Sequence, residues 1–257
     1  MENLLRKLPP IRRARDYHLY DSRGVRYLDM YQDGGGALLG HRPRGLFHEL
    51  KNAMQKGTSA ELPSVYEDRF AKMLLRLIPG DRELRIFRSR DRAVVSVSGL
   101  FRNSPGGGTV HEPFPEVRDC AVYYRPFSGA DYSSARALVP VLPFPGRFAP
   151  QPVLYLPGAA GPEGLPAGDM VSPALLSGLI GVLRELLKTR EYPDIWKDWD
   201  LPGWKRRGCY CIPDFDPGRY EIVFDFFLRA GVLISPDPGL PTILPRTFSD
   251  GEKNLVE

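Results

Sequence analysis

Several groups of residues in this 257-residue sequence have the types and spacing that chemistry requires. The glycine runs Gly34–Gly36 and Gly106–Gly108 permit the close backbone approach of a phosphate loop. Neither is followed by Lys-Ser/Thr, so both read as flexible turns. Cys209 and Cys211 should project to one side of a strand, as half of a metal site would; structural zinc needs four ligands and there is no second pair, so no metal is expected. His41 and His48 have no nucleophile pattern beside them and read as structural rather than acid–base groups. Asp194, Asp198 and Asp200 with Trp196, Trp199 and Trp204 make an acidic, aromatic cluster. It suits a cationic or sugar ligand, or a loop pinned over the core by its tryptophans.

Hydrophobic residues are 42% and charged residues 26%, the balance of an ordinary globular chain of one core or two small ones. The net charge is +4, and the basic clusters Arg12/Arg13/Arg15, Arg88/Arg90/Arg92 and Lys205/Arg206/Arg207 are interleaved with acids, so they read as solvated faces and nucleic-acid binding is not expected. Three cysteines cannot build a disulfide framework, and the first residues show no signal-peptide pattern, so a cytoplasmic protein is expected. No apolar run approaches the ~18 residues that a membrane helix needs.

The elements that would carry these groups follow from periodicity. Residues 17–32 read as a hairpin turning at Asp21–Gly24. Leu46, Phe47, Leu50, Ala53 and Met54 recur at helical spacing, and a second helix should start at Ser64 with Glu67 reaching back to cap it. A strand over 84–87 leads to a helix over 93–101. Apolar runs at 120–124, 137–142 and 153–156 read as buried strands. Ser172-Pro173 and Asp216-Pro217 each mark a helix start. The first opens a long leucine stripe, and a strand over 232–234 and a short terminal helix from Ser249 or Asp250 follow the second.

With those elements placed, Tyr20, Asp21, Gly24, Tyr27, Leu28, Asp29, Gly35, Gly36, Gly40 and His41 resemble the N-terminal pattern of class III pyridoxal-phosphate aminotransferases, the family that includes glutamate-1-semialdehyde aminomutase. The similarity runs on through residues 62–79 to Ser89, Ala93 and Val94, and returns between Arg219 and Asp250. It implies an α/β, reduced fold-type-I architecture in which both chain ends form a small domain beside a shortened central α/β part. The sequence divides accordingly into an N-terminal aminotransferase-like segment (1–102), a Pro/Gly-rich central region (103–215) and a C-terminal small-domain-like segment (216–257).

The resemblance also implies what the site should contain. The family holds its cofactor's phosphate in a Ser-Gly-Ser/Thr-Asp/Glu-Ala cup, pairs the ring nitrogen with an aspartate, and holds the aldehyde with a lysine in a Gly-Lys setting. Ser89, Arg90 and Asp91 occupy the cup position here, with an arginine where the family has glycine. None of the eight lysines has the expected context, and the middle is shorter than the family's. The expectation is a catalytically silent relative with a binding or assembly role, without catalytic residues or bound cofactor, acting as a homodimer or paired with an intact homologue. The alternative is an active pyridoxal-phosphate enzyme using a relocated lysine such as Lys188 or Lys205.

Overall fold

Two hairpin strands and a two-residue strand from the far end of the chain share one sheet, which is how the termini come together. The structure, a computed structural model, describes residues 4–102, 108–114, 116–117, 119–144, 146, 149–159, 166–189 and 202–253. In chain order the elements are β1 (Ile11–Arg15), β2 (His18–Asp21), β3 (Arg26–Asp29), α1 (Arg44–Gln55), α2 (Val65–Leu77), β4 (Glu83–Phe87), α3 (Arg90–Leu100), β5 (Ala121–Tyr124), β6 (Ala137–Pro140) and β7 (Gln151–Tyr155). They continue with α4 (Pro173–Lys188), β8 (Trp204–Arg207), β9 (Tyr210–Pro213), α5 (Tyr220–Arg229), β10 (Val232–Leu233), β11 (Thr242–Ile243) and α6 (Asp250–Lys253). Residues 1–43, 127–129 and 191–257 form one compact unit, and 44–126 with 130–190 form another, so the compact units cut across the three sequence segments.

The first unit holds a sheet of order β1-β2-β3-β10, in which Val232 and Leu233 pair parallel with Leu28 and Asp29. The hairpin turn forms because the Asp21 carboxylate accepts the N–H groups of Arg23 and Val25 at 2.9 and 2.8 Å, and Gly24 supplies the left-handed φ of +87°. β1 was not foreseen, since an exposed, arginine-rich strand has no hydrophobic alternation to betray it. The glycine run at 34–36 corrects the expectation of a flexible turn. Residues 34–38 are buried, and the chain bends tightly through Gln32 and Asp33 at φ near +50°. Asp29 holds that bend by accepting the Tyr31 and Gln32 N–H groups at 3.0 and 2.8 Å.

A second sheet in this unit has the order β11-β9-β8. Trp204 packs its ring against Phe215, Tyr220 and Phe227 at centroid distances of 5.7, 6.4 and 6.5 Å, tying β8 to α5. Asp216 caps the single 3-10 turn Pro217–Arg219 that leads into α5, its carboxylate accepting the Gly218 N–H at 2.9 Å, while α5 itself has no side-chain cap. Short α6 docks through Glu252, which lies 2.6 Å from His18 and accepts the Ser249 N–H at 2.7 Å. The other residues of the acidic tryptophan cluster, Asp194 to Asp200, lie outside the described residues.

The second unit is built on a sheet of order β4-β7-β6-β5, with β5 and β6 parallel and β7 antiparallel to both its neighbours. α3 covers it, and Ala93, Val97 and Phe101 join Phe87, Ala121, Ala137, Val139 and Val153 in one core. The small residues of α3 allow that close approach, as their pattern predicts. Elsewhere in the unit α4 packs against α1 and α2, burying Leu176, Leu179, Val182, Leu183 and Leu186. Each such side chain contributes about 1.5–3 kcal/mol by leaving water. α1 and α4 cross at glycines, because a Cβ on Gly181 would stand 2.3 Å from the Gly45 carbonyl oxygen. Pro173 begins α4, while Ser172 makes no side-chain capping bond, contrary to its expected role. At α2, by contrast, Glu67 reaches back to the Ser64 N–H at 3.3 Å.

Candidate active site

The topology gathers the chemistry-bearing residues of the second unit on one edge of its sheet. β4, β5 and β6 run in the same direction, so their carboxyl ends lie together, the usual location of ligand sites in open α/β sheets. Register makes this concrete, since Phe87 pairs with Gln151 and Tyr124 pairs with Pro140. Beyond β5, His111 forms a parallel bridge with Val122, which brings Glu112 to the same edge.

Ser89 is the N-cap of α3, and its hydroxyl accepts the Arg92 N–H at 3.3 Å. That local bond explains why the helix starts here. Arg90 leaves the first turn and crosses to β7, where its Nε is 3.5 Å from Gln151 Oε1. Gln151 is itself fixed, its amide donating to the Pro140 carbonyl at 2.7 Å. Asp91 is exposed on the first turn. The structure therefore brings Ser89 and Arg90 into the edge, with Asp91 on the outer side of the same helix.

Sequence reasoning missed a second feature of this edge. Arg125, with 3% of its side chain exposed, forms a two-pronged pair with Glu112, Nε to Oε2 at 2.7 Å and Nη2 to Oε1 at 2.6 Å. The Arg125 N–H donates to the Tyr132 hydroxyl at 2.9 Å, and the Tyr132 ring packs on Tyr124 at 4.9 Å. Only a two-residue segment at 111–112 places Glu112 there, and nothing in its Pro/Gly-rich surroundings signals a strand. Burial raises the Tyr123 hydroxyl above its ordinary pKa, with Arg90 opposing the shift and Glu112 adding to it, so at neutral pH Tyr123 is a hydrogen-bond donor. Tyr124 is shifted upward by burial as well.

Chemically, this edge can orient a polar or anionic group through Arg90 and a tyrosine hydroxyl. Its carboxylate is occupied by Arg125. After β6 come Val141 and Leu142, both buried, so no amine extends from that strand. Lys7, Lys51, Lys56, Lys72, Lys188 and Lys205 are all exposed; Lys188 ends α4, and Lys205 pairs with Asp214 at 2.7 Å. A pyridoxal phosphate of the kind the resemblance implies does not fit these residues. A side chain stands where glycine would admit the phosphate, Tyr124 ends β5 and Arg125 follows it, and the described edge offers no amine for the aldehyde.

The remaining candidates have structural surroundings. His41 Nε2 lies 2.7 Å from Asp29 Oδ2, pinning the two ends of the buried bend, and His48 is exposed on α1. Cys209 and Cys211 are buried, and burial pushes the Cys211 thiol up to about 12, which leaves it protonated and unreactive. Among the described residues no His/Cys/Asp/Glu group is arranged to hold a metal, and no helix is long and apolar enough to cross a membrane.

Comparison with known proteins places this arrangement. No family model matches the chain. An uncharacterized protein of Borreliella burgdorferi is 27% identical over 250 residues, spanning 97% of this chain and 89% of its own length, and one of Treponema pallidum is 27% identical over 94% and 91%. Glutamate-1-semialdehyde 2,1-aminomutase of Syntrophobacter fumaroxidans is 30% identical over 96 residues, which are 37% of this chain but 22% of the aminomutase. Among solved structures, a glutamate-1-semialdehyde aminomutase from Pseudomonas aeruginosa superposes with a TM-score of 0.67 at 12% identity, covering 96% of this chain and 86% of that one. The ornithine δ-aminotransferase of Plasmodium falciparum gives 0.64 at 12% identity, over 96% and 91%. The mixed α/β fold expected from the resemblance is thus the fold observed.

Proposed function

We propose that this chain, a truncated class III aminotransferase-like protein, is catalytically silent and serves as a binding or assembly protein, retaining the scaffold of its relatives without their chemistry. The observation that carries this reading is Arg90. At the cup position it replaces glycine, and its guanidinium spans from the first turn of α3 to Gln151 on β7, so the edge is braced from within. Function follows the residues of a site and not its fold. The lysine positions support the same reading, since Lys7, Lys51, Lys56, Lys72, Lys188 and Lys205 are exposed.

A binding role requires a partner, and self-association or pairing with an intact relative is the first expectation. Light-scattering mass measurement of the purified chain, alone and mixed with a full-length aminotransferase homologue, tests it. A dimer or a stable mixed complex is the expected result. A monomer that ignores the homologue would remove the assembly half of the proposal. Transamination on addition of pyridoxal phosphate and an amino donor would remove the other half, pointing to a relocated lysine such as Lys188 or Lys205.

A further inference from the structure

We propose that β1 is a docking edge, and that an extended segment of another protein, carrying acidic residues at alternate positions, adds to it as one more strand of the first unit's sheet. This gives the binding role a surface and rests on that reading.

β1 ends the sheet order, and its neighbour is β2 alone. The Pro10 carbonyl turns toward β2, where it accepts the Ser22 N–H at 3.0 Å, so by strand alternation the Ile11 N–H and carbonyl face outward. Asp21, which stands opposite Ile11, gives its N–H to the Val25 carbonyl instead. Among the described residues no segment bonds to the outer side of β1. An open row of backbone donors and acceptors is a template for a further strand.

The register sets what that strand must carry. It shifts between Ile11 and Arg13, absorbing Arg12, so that Ile11 stands opposite Asp21, Arg13 opposite Tyr20, Ala14 opposite Leu19 and Arg15 opposite His18. Ile11 and Ala14 therefore share the face of buried Leu19 and Asp21. Arg13 and Arg15 share the other face, where the Arg13 guanidinium stands 4.3 Å from the centre of the Tyr20 ring. All three arginines of β1 are exposed. Arg15 lies 3.4 Å from its neighbour Asp16, while Arg12 and Arg13 pair with no carboxylate among the described residues. An added strand with Asp or Glu at alternate positions sets carboxylates beside Arg13 and Arg15 and apolar side chains beside Ile11 and Ala14, as peptides do when they add to sheet edges. A second copy of this chain does not suit the edge, because pairing β1 with β1 brings arginines together. A nucleic acid would meet the charges but not the open backbone row.

The test uses the full chain and a fluorescent synthetic peptide of alternating Glu and Val, with a second copy N-methylated at every residue. N-methylation keeps each charge and removes the backbone donors. The plain peptide should bind, and its N-methylated copy about 10-fold more weakly. Two variants of the chain separate backbone from charge. Ile11→Pro deletes one outward donor and no bond to β2, and Arg13→Glu with Arg15→Glu reverses the charge. With native-like melting, each should weaken the plain peptide about 10-fold. The proposal is overturned if the plain peptide does not bind at about 1 mM, or if its N-methylated copy binds equally well. It is also overturned if the arginine variant binds like the parent, or if single-stranded DNA of equal charge binds the parent more tightly than the peptide does. A negative result leaves the light-scattering and cofactor experiments, and the reading they test, untouched.

Discussion

The bend from Asp29 to His41 and the helix start from Ser89 to Ala93 both match positions of the class III pattern, and they keep different halves of it. At the bend the residues themselves persist and bond to one another, Asp29 to His41 and to two backbone N–H groups. At the helix start the frame persists, with a strand, an N-cap serine and a buried alanine, while the residue that would admit a ligand has become Arg90. On the proposed reading, the difference separates residues that build the fold from residues that serve chemistry in the family. The first kind cannot change without cost to folding; the second can.

If that separation is right, the largest effect should come from the bend. Asp29→Ala removes a carboxylate with 2% of its side chain exposed and leaves His41 and two N–H groups without their partner, so urea denaturation should show a loss of about 3 kcal/mol. A loss within measurement error would break the comparison. Next in size, Gly181→Ala should cost about 2 kcal/mol, because the new methyl meets the Gly45 carbonyl and α1 must move off α4.

Substitution at the helix start should matter far less. Arg90→Gly restores the family's residue at the first helical position and should lower stability by no more than about 1 kcal/mol. The same variant should still show no transaminase activity, because one glycine supplies no amine. The smallest effect concerns α6. Burial tends to raise the Glu252 pKa, but bonding to Ser249 and His18 outweighs it and holds the carboxyl below its ordinary value. A lowered folded pKa means that the contribution is present above the unfolded value of 4.5 and is lost as pH falls through the folded one. The protection factor of the Ser249 amide, taken relative to the intrinsic exchange rate at each pH, should therefore fall on acidification below pH 4.5, and Glu252→Gln should remove that dependence.

Much of this was legible in the sequence, because helix and strand periodicities with turn and cap residues are local signals. The helices from Arg44, Val65 and Pro173, the hairpin and the strand-forming apolar runs all appear where those signals place them. The joining of the two ends was legible only through resemblance, since β10 is two residues long and its partner β3 is some 200 positions away. The buried character of residues 34–38 was not legible, because consecutive glycines look the same in a solvated turn and in a tight packed one. Nor was the Arg125–Glu112 pair, whose members meet through a single parallel bridge. Long-range contacts between short, irregular segments leave no period to read.

The account rests on the carboxyl edge of the second sheet having kept the fold and lost the cofactor's anchor. Incubation of the native chain with pyridoxal phosphate, followed by borohydride reduction and peptide mass mapping, measures that directly. The account predicts no stoichiometric pyridoxyl adduct on any lysine. One adduct per chain on a single lysine, blocked by prior unfolding, would contradict it.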